Sequence, residues 1–208
     1  MRLVFISDTH GQHDSIDPPE GDVLIHCGDF TNRGRSEEVS HFNQWLGRQH
    51  HETKIVVPGN HDLCFESKPT RSAELLTHAD HVLIDRGCVV RGMSFFGSPR
   101  TPQFGGWAFM YDPRDAPWTK ILPERIDVLI THGPAYDMLD SVGSGHRVGC
   151  DALAGMIKHL KPKVHAFGHI HESRGVEVLN GTISVNAAHG GGTRGSKDEL
   201  FHGFVVDL

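Results

Sequence analysis

Polar side chains that can bind metal ions or transfer protons follow five short apolar runs in this sequence. Each run has the length of one buried strand and ends at small or turn-forming residues. An ordinary set of polar loops explains five such coincidences poorly, so we expect these side chains to form one site. They are Asp8 and His10 after the first run, Asp29 after the second, Asn60 and His61 after the third, His132 after the fourth, and His169 and His171 after the fifth.

The chemical types of these side chains predict a divalent-metal site. Apart from His61, the set holds four histidines, two carboxylates and one amide oxygen. Mixed nitrogen and oxygen donors suit two first-row divalent metals better than calcium or a thiolate zinc site. Asp29 stands alone at its strand end, and a carboxylate has two oxygens and a full charge. We therefore expect Asp29 to bridge the two metals.

The surrounding elements predict an α/β fold. We expect strands, each ending at one of the polar groups, at residues 2–7, 23–27, 54–57, 127–130 and 163–167. A helix is predicted over residues 36–50, so that the second and third strands form a βαβ unit with a parallel pair. The carboxyl ends of parallel strands meet at one edge of an open sheet, and this convergence would gather the polar residues into one crevice.

The remaining segments predict a mixture of strands, helices and one long loop. Residues 98–118 carry several prolines and glycines together with the aromatic residues Phe104, Trp107 and Phe109, which is typical of a long ordered loop. Asn180-Gly181 favours a type I′ hairpin turn. We also expect a short helix at 72–78, a meander of strands at 81–85, 88–91 and 93–97, a helix at 150–160 and a last strand at 204–208. No linker divides the chain, so one domain over residues 1–208 is expected.

Composition excludes several classes of partner. The chain has 208 residues, a net charge of −6 and no cluster of lysine or arginine, which argues against an extended nucleic-acid groove or a membrane surface. The four cysteines are widely separated, so buried reduced thiols are the expectation. The opening apolar run is too short for a secretory leader, and no stretch is long enough to span a membrane. These features predict a cytoplasmic protein, and they leave the oligomeric state open.

The order of the polar blocks resembles the calcineurin-like metallophosphoesterase family. That family carries Asp-x-His, Gly-Asp, Gly-Asn-His-Asp or -Glu, His, and Gly-His-x-His in this order, and all five blocks occur here between Asp8 and His171. An ordered combination is far more specific than any one short motif. Three further stretches, at residues 23–31, 42–47 and 147–150, resemble the small metallophosphoesterase-domain-containing subgroup, which is related to class III cyclic-nucleotide phosphodiesterases.

The resemblance implies a fold and a ligand set. The family fold is an α/β sandwich of two mixed β-sheets flanked by helices. By correspondence with the family motifs, one metal would be held by Asp8, His10 and His171, and the other by Asn60, His132 and His169, with Asp29 between them. Two divalent ions are implied, with Mn²⁺ as the first expectation and Fe, Zn or Mg as alternatives.

The resemblance also implies roles for residues that face the substrate. His61 would bind no metal and would act as general acid when a hydroxide held between the metals attacks phosphorus. The phosphatase branch reads Gly-Asp-x-x-Asp-Arg-Gly, whereas residues 28–34 have Asn32 at the second acidic position. That difference argues against an acid–histidine dyad with His61. Arg33 is available to bind phosphate, although a solvated surface cation explains it equally well.

The implied activity is hydrolysis of phosphodiester bonds in small substrates, such as cyclic nucleotides or aryl and nucleoside phosphodiesters. Phe104 and Trp107 in the long loop favour a substrate with a planar group, unless both rings pack beneath their own loop. A phosphomonoesterase or protein phosphatase of the same fold is one alternative. A nucleotide-binding regulatory protein with low turnover is another, and a metal-storage protein would explain the 17 histidines but not their positions.

Overall fold

The structure is a computed structural model that describes residues 1–190 and 201–208. Short apolar runs rich in β-branched residues dominate the chain and form strands. Thirteen strands lie within the described residues: β1 Arg2–Ile6, β2 Val23–His26, β3 Thr53–Val56, β4 His81–Val82, β5 Arg86–Val90, β6 Met93–Ser98, β7 Thr101–Pro102, β8 Met110–Tyr111, β9 Val128–Thr131, β10 Val164–Phe167, β11 Gly175–Leu179, β12 Thr182–Asn186 and β13 Phe204–Asp207.

The helices of the described residues are few and mostly short. Three single turns of 3₁₀-helix lie at His13–Ser15, Pro113–Asp115 and His171–Ser173. None of the helices in the described ranges is both long and apolar enough to cross a membrane. The α-helices are α1 Ser36–Gly47, α2 Cys64–Ser67, α3 Pro69–Glu74, α4 Trp118–Ile121 and α5 Asp151–Leu160.

Two mixed sheets carry most of the strands. The first sheet has the order β13-β1-β2-β3-β4, in which β13 runs antiparallel to β1 and the other neighbours are parallel. The second sheet has the order β11-β12-β10-β9-β6-β5, with antiparallel pairs at both edges and parallel strands between them. This architecture confirms the predicted α/β fold with two mixed sheets, and it differs from a single open sheet.

Alternation along the strands divides the core into layers. Leu3 and Phe5 of β1 pack between the sheets with Val164 and Ala166 of β10. Val4 and the other alternate residues of the first sheet pack against α1 on one outer face. Residues of the second sheet pack against α5 on the opposite outer face. The molecule is therefore a sandwich of two sheets with helices outside, because central strands such as β2, β9 and β10 bury both of their faces.

The βαβ unit predicted at the second and third strands is present. Helix α1 connects β2 to β3, which are parallel, and its residues Val39, Phe42, Trp45 and Leu46 are buried. The helix ends at Gly47, three residues before the predicted end. Its start is fixed by Glu38, whose carboxylate accepts hydrogen bonds from the backbone N–H groups of Asn32, Arg33 and Arg35. This contact ties the loop after Asp29 to the first turn of the helix.

Three predictions for residues 64–121 were wrong in detail. The meander does not form, because Asp85 adopts a left-handed φ of 51° and the chain passes there from β4 in the first sheet to β5 in the second. The helix predicted at 72–78 lies earlier, as α3, because Pro69 favours the first turn of a helix. The loop at 98–118 includes the paired short strands β7 and β8, and it ends where α4 begins.

Other predictions from the sequence were confirmed. Asn180 and Gly181 have φ values of 53° and 87° between β11 and β12, as a type I′ turn requires. All four cysteines are free, as predicted, but only Cys27 and Cys150 are buried, whereas Cys64 and Cys88 are partly exposed. His189, for which the sequence suggested no role, donates its backbone N–H to the Ser7 carbonyl and joins the two sheets. The glycines at 191 and 192 that follow it lie outside the described residues.

Candidate metal centre

The candidate metal ligands come from the ends of strands in both sheets. Strands β1, β2 and β3 belong to the first sheet. Asp8 and His10 follow β1, Asp29 follows β2, and Asn60 and His61 follow β3. Strands β9 and β10 belong to the second sheet and supply His132, and His169 with His171. The sequence argument placed all five strand ends at the edge of one open sheet, and this was wrong. The site lies where the ends of two packed sheets meet.

Carboxylate and imidazole groups lie in three overlapping clusters at this edge. Within each cluster, one ligand atom from each residue lies within 4.8 Å of the others. Asp29 is shared by two clusters, and so is His10. The clusters are Asp8 with His10 and His171, Asp29 with His132 and His169, and His10 with Asp29 and His61.

Hydrogen bonds across the sheets hold the first two clusters together. Asp8 accepts a hydrogen bond from the backbone N–H of His169 at 2.9 Å, and its other oxygen lies 3.3 Å from Nε2 of His171. His10 Nδ1 lies 3.3 Å from the carbonyl oxygen of Thr31, which turns its Nε2 toward Asp29. Such outer contacts orient histidines for metal binding.

The surroundings of His132 show that these residues fit a bound cation. Nδ1 of His132 lies 3.0 Å from the carbonyl oxygen of Cys27, so Nδ1 carries a proton and donates it. Nε2 then faces Oδ1 of Asn60 at 2.9 Å and Oδ2 of Asp29 at 3.3 Å, and both oxygens are acceptors. Three groups with lone pairs directed at one another are stable only around a proton or a metal ion. The geometry is therefore that of a cation site.

Charges within the site shift its pKa values in opposite directions. Burial disfavours the charged form of His132, but the Asp29 carboxylate outweighs burial and raises the pKa of His132 to about 9. Burial also opposes ionisation of Asp8, yet the hydrogen bond from His171 and the charge of His132 lower the pKa of Asp8. Burial lowers the pKa of His169 to about 4. A neutral His169 retains the lone pair that a metal would need.

Several of the candidate ligands have an unusual backbone conformation. Asp8, His10, Asp29 and His169 have φ values of 56°, 42°, 57° and 67°, which lie in the left-handed region. Residues other than glycine adopt this region rarely, and such strain is concentrated at functional sites. The backbone therefore turns sharply after β1, β2 and β10, where these side chains enter the centre.

Two of the candidate ligands are preceded by glycine because a larger residue would not fit there. A Cβ atom on Gly59 would lie 2.2 Å from Oδ1 of Asp29, and one on Gly168 would lie 2.0 Å from Oδ2 of Asp8. Either contact would displace the carboxylate. Glycine therefore precedes Asn60 and His169 because carboxylates of neighbouring strand ends approach the backbone at those points.

Asp62 is a structural residue of the site that the sequence analysis did not identify. It is fully buried, and its two oxygens accept hydrogen bonds from the backbone N–H groups of Asp29, Thr31 and Gly59 and from the Thr31 hydroxyl. Burial raises its pKa, and the Asp29 charge acts in the same direction. The position after His61 in the Gly-Asn-His-Asp block was the available signal. Asp62 holds the ends of β2 and β3 together.

His61 lies at the edge of the centre and is half-buried. Its backbone N–H donates to Oδ1 of Asp29 at 2.7 Å, and its Nδ1 lies 2.9 Å from the carbonyl oxygen of Asn32. A backbone carbonyl thus takes the place that the acidic partner of a dyad would occupy. The sequence left the partner of His61 unidentified, because any residue type offers a backbone carbonyl.

The two loop aromatics and Arg33 surround this edge. Trp107 stacks on His61 with ring centroids 4.0 Å apart, and the Arg33 guanidinium carbon lies 5.3 Å from the Trp107 ring centroid. Phe104 lies 5.0 Å from the His169 ring and is 55% exposed. Packing of both rings beneath their own loop is therefore wrong, since each ring contacts a histidine of the centre.

Comparisons with known proteins agree with this geometry. Residues 1–173 match the family model described as calcineurin-like phosphoesterase. The chain is 41% identical to the human Metallophosphoesterase domain-containing protein 1 over 214 residues, which cover 90% of this chain and 65% of that protein. It therefore spans about two-thirds of the length of that relative.

The chain is also similar in sequence to a nematode protein and in fold to a solved structure. A UPF0046 protein of Caenorhabditis elegans is 37% identical over 204 residues, which cover 90% of this chain and 69% of that protein. One solved structure has a TM-score of 0.67 at 19% identity and covers 89% of both chains. At that identity the structural likeness supports the fold alone.

Proposed function

We propose that this chain, which belongs to the calcineurin-like phosphoesterase family, is a metal-dependent phosphodiesterase for small substrates with a nucleoside or aryl group. The observation that carries the proposal is the position of Asp29, which clusters with His132 and His169 on one side and with His10, a member of the Asp8 cluster, on the other. A carboxylate with a ligand cluster on either side suits a pair of divalent ions. The activity and substrates of longer relatives are not implied for this chain.

The candidate ligands divide into two sets around Asp29. In this proposal Asp8, His10 and His171 hold one ion, and Asn60, His132 and His169 hold the other. The nitrogen and oxygen donors suit Mn²⁺ first, with Fe, Zn or Mg as alternatives. When bound, the two ions supply positive charge that activates a water nucleophile and offsets the charge of the phosphate.

His61 is assigned the role of general acid. With Nδ1 donating to the Asn32 carbonyl, the remaining nitrogen Nε2 has no hydrogen-bond partner among residues 1–190 and 201–208, and in the imidazolium form it carries a proton. This proton would pass to the oxygen of the departing alcohol as the bond to phosphorus breaks. Arg33 is assigned to the phosphate or its substituent, because its guanidinium lies on the Trp107 ring beside His61.

The exposed ring of Phe104 supports the substrate class. It lies beside His169, and a base or aryl group attached to a phosphate at the centre could stack on it. The absence of a lysine or arginine cluster in the sequence favours a small substrate over a nucleic-acid strand. The cytoplasmic location stays a prediction from the sequence.

Rates on matched esters test the proposed reaction. Protein loaded with Mn, Mg or Fe would be assayed on a p-nitrophenyl phosphodiester, on cyclic nucleotides and on p-nitrophenyl phosphate. We expect the diesters to be hydrolysed faster than the monoester with at least one metal. Asp29→Asn protein prepared in the same way is the control for contaminating hydrolases. A monoester rate that exceeds the diester rates with every metal would contradict the phosphodiesterase assignment.

A further inference from the structure

We infer that Trp107 is a positioning residue for His61. Together with the hydrogen bond between the imidazole and the Asn32 carbonyl oxygen, it holds the imidazole in one orientation at the edge of the centre. The consequence for catalysis rests on the proposed function, whereas the contact itself does not. The two rings are stacked with centroids 4.0 Å apart and planes inclined by 26°. The indole therefore covers one face of the imidazole.

The other contacts of His61 leave few orientations for its ring. Nδ1 lies 2.9 Å from the Asn32 carbonyl oxygen, so a flip of the ring would break this hydrogen bond. The ring centroids of His10 and His61 lie 4.7 Å apart and the ring planes are inclined by 77°, as in an edge contact. The Asn32 carbonyl fixes one end of the ring, and Trp107 prevents the ring from tilting away from the centre. Nε2 is thereby held at a single position.

Trp107 can perform this role because the residue that follows it is tied to the same strand end as His61. The N–H of Ala108 donates to the carbonyl oxygen of Asn60 at 3.2 Å, and Ala108 is fully buried. The N–H of Phe109 donates to Oε1 of Glu66 at 2.7 Å. The first bond anchors the loop on the residue before His61, and the second anchors it on α2. The indole and the imidazole therefore share one rigid support.

The two aromatic residues of the loop consequently have different roles. Trp107 is partly buried between His61 and Arg33, so its ring is occupied by contacts within the protein. Phe104 is 55% exposed and remains available to a substrate. The sequence suggested that either aromatic could stack on a base, and the structure separates a ring that orients the proton donor from a ring that faces the solvent.

The side-chain N–H signal of His61 tests the contact without any activity. In the Zn²⁺-loaded protein, which is diamagnetic, we expect a slowly exchanging Nδ1–H resonance, assigned by its disappearance in His61→Gln. Trp107→Ala should lose this resonance or broaden it, because the ring is then free to tilt. Trp107→Phe should retain it. Phe104→Ala removes an aromatic ring from the same loop and is the matched control, which should also retain it.

Kinetics then test the consequence for catalysis. A misplacement near 1 Å can cost roughly 100-fold in rate, and an alkoxide leaving group depends on the donated proton far more than p-nitrophenolate does. Trp107→Ala should therefore slow an alkyl diester by up to about 100-fold and the p-nitrophenyl diester much less. Trp107→Phe should recover most of the alkyl rate. The amount of bound metal should stay unchanged in Trp107→Ala, Trp107→Phe and Phe104→Ala.

Two results would overturn the inference. An unchanged His61 Nδ1–H resonance in Trp107→Ala would show that the orientation does not depend on the indole. Equal losses on the two diesters would show that Trp107 acts elsewhere than on proton donation. If the unmodified protein hydrolyses neither diester, the proposed function fails, and the resonance comparison still decides whether Trp107 positions His61.

Discussion

Substitution of Asp62 by asparagine should separate the strand ends that carry the candidate ligands. One oxygen of Asp62 accepts the backbone N–H and hydroxyl of Thr31, at 2.9 Å and 2.7 Å. The other accepts the N–H groups of Asp29 and Gly59, at 2.9 Å and 2.7 Å. An asparagine has one acceptor oxygen. If its NH₂ group faces Thr31, the Thr31 hydroxyl can turn to the His61 carbonyl oxygen, and only the Thr31 N–H loses its acceptor. At least one buried hydrogen bond to a charged acceptor is therefore lost.

The cost follows from the type of bond. Each hydrogen bond to a charged group contributes about 1.5–3 kcal/mol. The loss is partly offset, because burial of the Asp62 charge is itself unfavourable and raises the pKa of Asp62. We therefore expect the free energy of unfolding to fall by about 2 kcal/mol, within the range for one such bond. Metal affinity should fall as well, because the acceptor that anchors the Asp29 backbone loses its charge.

Urea denaturation at pH 8, where Asp62 is ionised, measures this change in the metal-free protein. Elemental analysis after loading with Mn²⁺ measures the effect on the site. Asp115→Asn is the matched control: its carboxylate is exposed and, among the described residues, pairs only with Lys120, so its loss should change the free energy by less than about 1 kcal/mol. A similarly small change in Asp62→Asn, with full metal content, would refute the role of Asp62 in joining β2 and β3.

Four further substitutions give distinct expected results. Asp29→Asn should lower the occupancy of both metals, whereas Asn60→Ala should mainly lower one, as measured by elemental analysis. His61→Gln should keep both metals and slow an alkyl diester by about 10²–10⁴-fold, with a smaller loss on a p-nitrophenyl diester, and equal losses would withdraw the general-acid role. Burial lowers the pKa of His165 to about 3, so the unfolded chain gains a proton between pH 6.5 and 3 that the folded protein does not. The free energy of unfolding should therefore fall as the pH falls through that range. His165→Gln should reduce the slope of this free energy against pH by about 1.4 kcal/mol per pH unit, unlike the exposed control His159→Gln. Equal slopes in His165→Gln and the unmodified protein would contradict a neutral buried His165.

Much of the fold followed from local patterns in the sequence. The β2–α1–β3 unit was predictable because a helical apolar face lies between two β-branched runs. The turn at Asn180-Gly181 was predictable because few residues accept two consecutive positive φ values. The chain's passage between sheets at Asp85 was not, because local sequence does not determine which sheet a short strand joins. The division into two sheets came only from the family resemblance.

The same limit applies to the candidate centre. Residue types at strand ends indicated which side chains would gather, since each block carries its own turn chemistry. The roles of Asp62 and Trp107 were not predictable from one sequence, because they depend on contacts with Thr31 and His61 across the fold. The assignment of each ligand to one metal remains a prediction.

The most direct test of a two-metal phosphodiesterase is a titration of metal-free protein with Mn²⁺, in which bound metal and hydrolysis of a p-nitrophenyl diester are measured on the same samples. Because Asp29 is shared between clusters on either side, we predict two ions per chain, with hydrolysis rising as the second ion binds. Full activity with one ion per chain, or no diester hydrolysis with two ions bound, would contradict the assignment as a two-metal phosphodiesterase.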